Sequence, residues 1–270
     1  MAENSPIIVV TEKKDVKEFK IQRPQKNTSW WTNHWRAILG ELIVTALLIF
    51  FGCLGCVPIE GLPVTPLYSP AGFGLITLLL VQSFAHISGS HMNPCVTLGA
   101  MILNKIPIPL GIAYIIVQIC GAILGYGILV GLSPTDVVTD GVCANHPHLK
   151  HSIYQTLGAE IIFTGTLMLI VCALWDPVNE EKNETVPIKF GLALSGLAIC
   201  SGPLAGVSMN PARSFGPAVW TGIWTAHWVY WVGPTLGIAL SAWFYKLVWL
   251  KKKNVKEQPL QAWTNDSNEL

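Results

Sequence analysis

The triplet Met-Asn-Pro occurs twice, as Met92-Asn93-Pro94 and Met209-Asn210-Pro211, each time in an apolar context. The match extends outward. Gly89-Ser90-His91-Met92-Asn93-Pro94 aligns with Gly206-Val207-Ser208-Met209-Asn210-Pro211, with Gly, Met, Asn and Pro in register. Asn is a favoured N-cap and Pro suits the first helical position, so each copy marks a helix start. A helix that begins at membrane depth directs free N–H groups and the positive end of its dipole at whatever lies ahead. Such a start is tolerated only where it lines a polar path enclosed by protein. The chemistry on offer is hydrogen bonding to a passing molecule and electrostatic opposition to cations. Arg213, just after the second motif, adds an intramembrane cation with five N–H donors and no acceptor.

The other reactive residue types form no catalytic set. No nucleophile–base pair, phosphate loop or metal-ligand set is evident, so no enzyme, metal or cofactor is expected. Glu41 and Glu160 are ionisable groups inside apolar segments. One reading makes them a coupled ion or proton site of an active transporter. The favoured reading makes them acceptors for the backbone of the two loops, because irregular backbone at membrane depth must be satisfied. His91 is expected to tie its loop to the following helix, and His86 to face the cytoplasmic vestibule. His146, His148 and His151 form a loose external tract for which solvation is the default. The seven cysteines are spread mostly through apolar segments, which does not suggest a disulfide framework, and Cys53-x-x-Cys56 reads as a pair of small packing residues.

These residues need elements that hold them inside a bilayer. The 270-residue chain is 51% hydrophobic and only 12% charged, with mean hydropathy +0.47, against about 25% charge in soluble domains. Apolar stretches fall near 37–57, 71–87, 108–132, 153–175, 187–204 and 228–250, each close to the roughly 20 residues that cross a bilayer. Two shorter pieces, 94–103 and 211–220, follow the Asn-Pro pairs and read as half-helices. The first 36 residues contain no apolar segment typical of a signal peptide. Lys13, Lys14, Lys17, Lys20, Arg23, Lys26 and Arg36 precede the first span, and Lys246, Lys251, Lys252, Lys253 and Lys256 end or follow the last. The first connection, 58–70, has no Lys or Arg, and the third, 133–152, has only Lys150. Six spans with both termini cytoplasmic fit this distribution. The Asn-x-Ser/Thr patterns at Asn27, Asn183 and Asn265 then face the cytoplasm and are expected to carry no glycan. The net charge of +1 gives no indication of nucleic acid binding. Trp30, Trp31, Trp35, Trp224, Trp228, Trp231 and Trp249 near span ends suit contact with membrane lipid at its interfaces.

The repeat is more than two motifs. Glu41-Leu-Ile-Val-Thr45 opens the first span and Glu160-Ile-Ile-Phe-Thr164 the fourth, while Gly121/Gly125 in the third is echoed by Gly233/Gly237 in the sixth. Each half reads span, span, half-helix, span. Three crossings per half is odd, so the second half is inverted and the two half-helices enter from opposite faces. The glycine pairs permit close helix contact. The expected fold is an all-α membrane protein of six transmembrane helices plus two re-entrant half-helices. A channel domain spans 33–250, with repeat one about 33–132 and repeat two about 153–250, between cytoplasmic tails 1–32 and 251–270.

The paired motifs, the segment His86-Ile-Ser-Gly-Ser-His91-Met-Asn-Pro and the segment Asn210-Pro-Ala-Arg-Ser-Phe-Gly-Pro-Ala218 resemble the aquaporin (major intrinsic protein) family. The resemblance covers about 33–250. It implies one pore per subunit and a homotetramer, in a channel class whose selectivity combines pore diameter, lining donors and half-helix dipoles. The motif residues it points to are Asn93, Pro94 and Cys95, and Asn210, Pro211 and Ala212. Cys95 departs from the family's usual Ala. It keeps the cap, and its favoured role is packing, with a thiol close to the pore as the alternative.

Offsets from the motifs place the family's narrowest ring, on the extracellular side, at Phe73, Ala198, Val207 and Arg213. Water-strict members carry His where this chain has Ala198. Loss of that bulk and polarity leaves a wider, amphipathic ring suited to a polyol, with carbons against Phe73 and hydroxyls toward Arg213. Ser214, Ala218 and Tyr230-Trp231 resemble the water-channel branch instead. A water-channel scaffold with a solute-channel ring resembles the entomoglyceroporins. That resemblance implies passive passage of water, glycerol and urea in an integral membrane protein of the plasma membrane. The alternatives are a water-selective channel, a coupled secondary transporter and a junctional structural protein. Val207 occupies a position where many members carry a mercury-reactive Cys, so mercurial block is expected to be weak or to act through Cys95 or Cys200.

Overall fold

The computed structural model describes residues 7–13, 16–22, 29–61, 67–204 and 207–250. Among the described residues, eight α-helices follow a short N-terminal hairpin. They are α1 Trp30–Leu54, α2 Tyr68–Ser88, α3 Pro94–Ile102, α4 Ile108–Leu132, α5 Ile153–Trp175, α6 Val186–Ser201, α7 Pro211–Thr221 and α8 Val229–Val248. The order long, long, short, long therefore occurs twice. Among the described residues, five helical stretches are long and apolar enough to cross a membrane. The sixth long helix, α8, has 20 residues, about 30 Å at 1.5 Å per residue. By the same rise, α3 with 9 residues and α7 with 11 reach about 14 and 17 Å, half the hydrocarbon thickness. Neither can span.

Local chemistry sets the ends. Ser29 caps α1 by accepting from the Thr32 N–H at 3.2 Å, so the helix starts before the apolar stretch and carries Trp30, Trp31 and Trp35 in its first turns. Ser152 and Gln155 form a reciprocal capping box at the start of α5. Gly89 stops α2 at φ +91, with its N–H on the Ala85 carbonyl. That left-handed residue turns the chain into the first loop without a Cβ penalty.

Three helix pairs make the frame: α1 with α4, α5 with α8, and α2 with α6. Glycine brings each pair together. A Cβ on Gly121 would sit 2.5 Å from the Leu42 carbonyl oxygen, and one on Gly125 would sit 2.1 Å from that of Ala46. In the second half, Gly237 presses on the Ile161 carbonyl and Gly233 on Glu160 Cβ. Gly74 and Gly191 do the same between the halves. Leu75, Leu79, Ile112, Ile116, Ile162, Leu192 and Leu240 point outward and are exposed. An outer face this apolar suits lipid, not water.

The contacts define a sharp comparison. Gly125→Val should cost about 3 kcal/mol, the upper end of the usual overpacking range, because backbone oxygen cannot rotate away from the new side chain. Gly131→Ala on the same helix meets nothing within 4 Å and should be neutral or stabilising by up to ~1 kcal/mol. Thermal unfolding in detergent checks both, and equal melting temperatures would refute the close-packing account.

Two features depart from the sequence-based expectations. The polar N-terminal segment contains two antiparallel strands, β1 Ile7–Lys13 and β2 Val16–Gln22, with Ile7 opposite Gln22 and Lys13 opposite Val16. β-branched residues concentrated at Ile7–Thr11 favour extended backbone. Cys53 and Cys143 form a disulfide with Cα atoms 5.4 Å apart, correcting the view that no cysteine pair is bridged. Spacing concealed it: the partners are 90 residues apart, and Cys53 pairs with a loop residue instead of its neighbour Cys56.

Candidate functional site

Two segments of irregular backbone lie at the centre of the frame, 89–93 and 207–210. Met92 and Met209, equivalent in the two repeats, adopt φ +53 and +55, and Ser90 adopts φ +50. A side chain disfavours this left-handed conformation, at a cost of about 1–3 kcal/mol per residue, and surrounding bonds must hold it. The two carboxylates supply them. Glu41 Oε1 accepts from the His91 N–H at 2.9 Å and the Ser88 hydroxyl at 2.6 Å. Its Oε2 accepts from the Met92 N–H at 2.9 Å and Gln118 Nε2 at 2.8 Å. Glu160 accepts from the Ser208 N–H at 2.6 Å and the Met209 N–H at 3.0 Å. Both carboxylates are fully buried.

Asn93 and Asn210 cap the short helices and tie the halves together. Asn93 Oδ1 accepts from the Cys95 N–H at 2.8 Å, and Asn210 Oδ1 accepts from the Ala212 N–H at 3.0 Å. Asn93 Nδ2 donates to the Met209 carbonyl and Asn210 Nδ2 to the Met92 carbonyl, both at 2.8 Å. The N-termini of α3 and α7 therefore meet head to head. Pro94 and Pro211 occupy the first helical positions, where no N–H is required. Each amide retains a second N–H, and both asparagines line the central cavity.

That cavity has a volume of about 120 Å³. Phe73, Ala198, Val207 and Arg213 all line it, as do His91, Met92, Ser208 and Met209. Phe73 comes from α2, Ala198 from α6, Val207 from the second loop and Arg213 from the first turn of α7. The Arg213 guanidinium carbon lies 5.2 Å from the Phe73 ring centroid. Its Nη1 donates to the Cys143 carbonyl at 2.6 Å and to Asn145 Oδ1. No Asp or Glu lines this cavity among the described residues. Two helix N-termini and a guanidinium thus face a space with no countercharge, which disfavours cations.

A second cavity, of about 620 Å³, shares His91 with the first and is lined also by Lys105, Trp175, Asp176 and Glu180. His91 Nδ1 sits 3.1 Å from the Thr97 hydroxyl on α3. His86 is exposed and lines neither of these two cavities. The rings of His148 and His151 are 5.1 Å apart, but no group of His, Cys, Asp and Glu suited to a metal occurs among the described residues.

Cys95 packs among Val96, Met168 and Ile238 with its sulfur 3.6 Å from the Thr235 hydroxyl, off the cavity. Ala212 packs against Ile49, Ala122 and Tyr126. Cys200 is exposed on α6 and does not line the cavity. The mercurial expectation for Cys95 and Cys200 therefore loses its geometric basis. The free thiol of Cys56 lies 2.9 Å from the hydroxyl of Ser69, itself a lining residue. Sequence reasoning missed three other participants. Gln118 had a signal, a lone amide in an apolar span. Cys143 and Asn145, in an irregular polar loop, had none.

Several known proteins are similar to this chain. The family model described as major intrinsic protein matches residues 27–245. The lens fiber major intrinsic protein of Gallus gallus is 37% identical over 219 residues, covering 80% of this chain and 82% of that one. Aquaporin-4 of Mus musculus is 34% identical over 240 residues, covering 87% and 74%. Among solved structures, the aquaglyceroporin from Plasmodium falciparum superposes with a TM-score of 0.69 at 22% identity, covering 80% of this chain and 96% of that one.

Proposed function

The chain belongs to the major intrinsic protein (aquaporin) family of passive membrane channels, and we propose that it conducts water together with glycerol and urea. One observation carries the solute reading. The cavity that holds Arg213, Phe73 and both motif asparagines is bounded at its remaining ring positions by Ala198 and Val207, which add no polar side chain and little bulk. A polyol has carbons for Phe73, Ala198 and Val207 and hydroxyls for Arg213. The second N–H of Asn93 and that of Asn210 orient the molecule midway, while Arg213 and the two helix dipoles oppose protons and cations. In this reading Phe73, Ala198, Val207 and Arg213 form the selectivity filter. Pro94, Cys95, Pro211 and Ala212 build the two capped helix starts, and Glu41, Glu160 and His91 support the loops. The carbonyls of 88–92 and 207–209 form an acceptor ladder along the path. This ring on a scaffold similar to a water channel favours the entomoglyceroporin branch.

Both termini are proposed to be cytoplasmic. The Cys53–Cys143 disulfide at the far end of α1 supports this independently of the lysines, because disulfides persist on the oxidising side of a plasma membrane. The tails 1–32 and 251–270 then flank the channel domain 33–250 on the inner side. A homotetramer is the proposed assembly. Glu41 and Glu160 argue against ion coupling, since each is already engaged by buried loop donors.

Stopped-flow light scattering on proteoliposomes tests the reading. Imposed gradients of water, glycerol and urea should each give flux well above empty vesicles, linear in concentration and independent of ion gradients. Water flux with glycerol and urea at background would reduce the function to a water channel. Saturation or gradient dependence would replace it with a transporter.

A further inference from the structure

Arg213 is held by a loop, and that loop is held by a disulfide. The segment 133–152 contains no helix or strand, so its position depends on a few fixed points. Three converge on residues 142–145. Cys143 is bonded to Cys53, buried in the last turn of α1. The Tyr126 hydroxyl of α4 lies 2.7 Å from the Val142 carbonyl oxygen. Asn145 Oδ1 accepts from the Arg213 guanidinium and, at 2.9 Å, from the Ser214 hydroxyl. Cys143 itself adopts φ +68, a conformation disfavoured for a residue with a β-carbon, and in it presents its carbonyl to Arg213 Nη1 at 2.6 Å.

We propose that the Cys53–Cys143 disulfide is a positioning element of the constriction, setting through Cys143 and Asn145 where the Arg213 guanidinium sits, and that its reduction lowers glycerol passage relative to water. The inference rests on the channel reading above. Once the bond is open, Cys143 can leave its left-handed conformation and withdraw its carbonyl. Arg213 keeps its stack over Phe73 and leans further into the cavity both residues line. A three-carbon solute is obstructed by that displacement more than water is. The redox step is a thiol–disulfide exchange with a dithiol reductant. Its thiolate attacks one sulfur and forms a mixed disulfide. Its second sulfur then closes to a cyclic disulfide, leaving two electrons and two protons on Cys53 and Cys143 as thiols.

The test uses the full chain already folded in proteoliposomes, so a variant's folding does not decide it. Vesicles are treated with dithiothreitol, thiols are counted by maleimide mass shift, and water and glycerol permeabilities are measured. The expected result is two newly labelled cysteines and a glycerol-to-water ratio lower by about threefold, as befits a partly lost charged hydrogen bond, with recovery on reoxidation. Cys56→Ser retains the bridge and should respond identically. Asn145→Ala should lower the ratio without reductant, whereas Asn145→Asp, which keeps the acceptor, should not. A ratio unchanged after complete reduction overturns the inference, as does a bridge that resists the dithiol in the membrane. Failure of the channel reading looks different: untreated vesicles would then pass no solute.

Discussion

Ala198→His is expected to cut glycerol permeability by about 10- to 100-fold while water permeability falls less than about threefold, the discrimination that roughly 1–3 kcal/mol of lost fit produces in a tight pocket. Ala198 is a half-buried residue of α6 and lines the same 120 Å³ cavity as Phe73 and Arg213. An imidazole added there fills space next to both, and its ring N–H replaces part of the apolar wall that a carbon skeleton would slide along. Water needs no such wall and can exchange hydrogen bonds with the imidazole. Paired swelling assays on the two proteins, normalised to channel number, give the ratio directly. Equal loss of both fluxes would show that position 198 does not set the size limit.

Glu41→Ala carries the largest stability effect. The carboxylate accepts from Ser88, His91, Met92 and Gln118, all within a buried site. Alanine leaves four donors without this acceptor, on residues that are all buried. The expected loss is about 3–5 kcal/mol, the usual cost of breaking a buried charged network, seen as aggregation on size exclusion and absence of permeability. Glu41→Gln distinguishes charge from geometry. It keeps one acceptor oxygen but presents an NH2 group toward a facing donor, so it should recover only part of the stability. A Gln variant with the parent's melting temperature and flux would show that the loop does not depend on this carboxylate.

The elements were legible because lipid imposes severe rules. α4 and α5 match the apolar stretches at both ends, since Pro107–Pro109 and the Ser152 cap start them and polar loops end them. The short helices were visible from Asn-Pro, because a favoured N-cap followed by a proline suited to the first helical position marks a start in two residues. Glycine pairs foretold the tight contacts of α1 with α4 and α5 with α8, since only a missing Cβ permits them. What stayed hidden was non-local. Nothing near Cys143 in the sequence indicates Cys53, and nothing in an irregular loop announces that Asn145 will meet Arg213. The N-terminal hairpin was masked by its many charges, which hid the β-branched run at Ile7–Thr11.

The crossed amide bonds at the centre have a consequence for biogenesis. Asn93 depends on a carbonyl 116 residues further along the chain. At ribosomal speeds of about 5–20 residues per second, that partner emerges roughly 6–23 seconds later. All four donors to Glu41, by contrast, come from the half already synthesised. The first loop is thus equipped to wait in its finished shape, a template on which the later-made half docks to complete the protein.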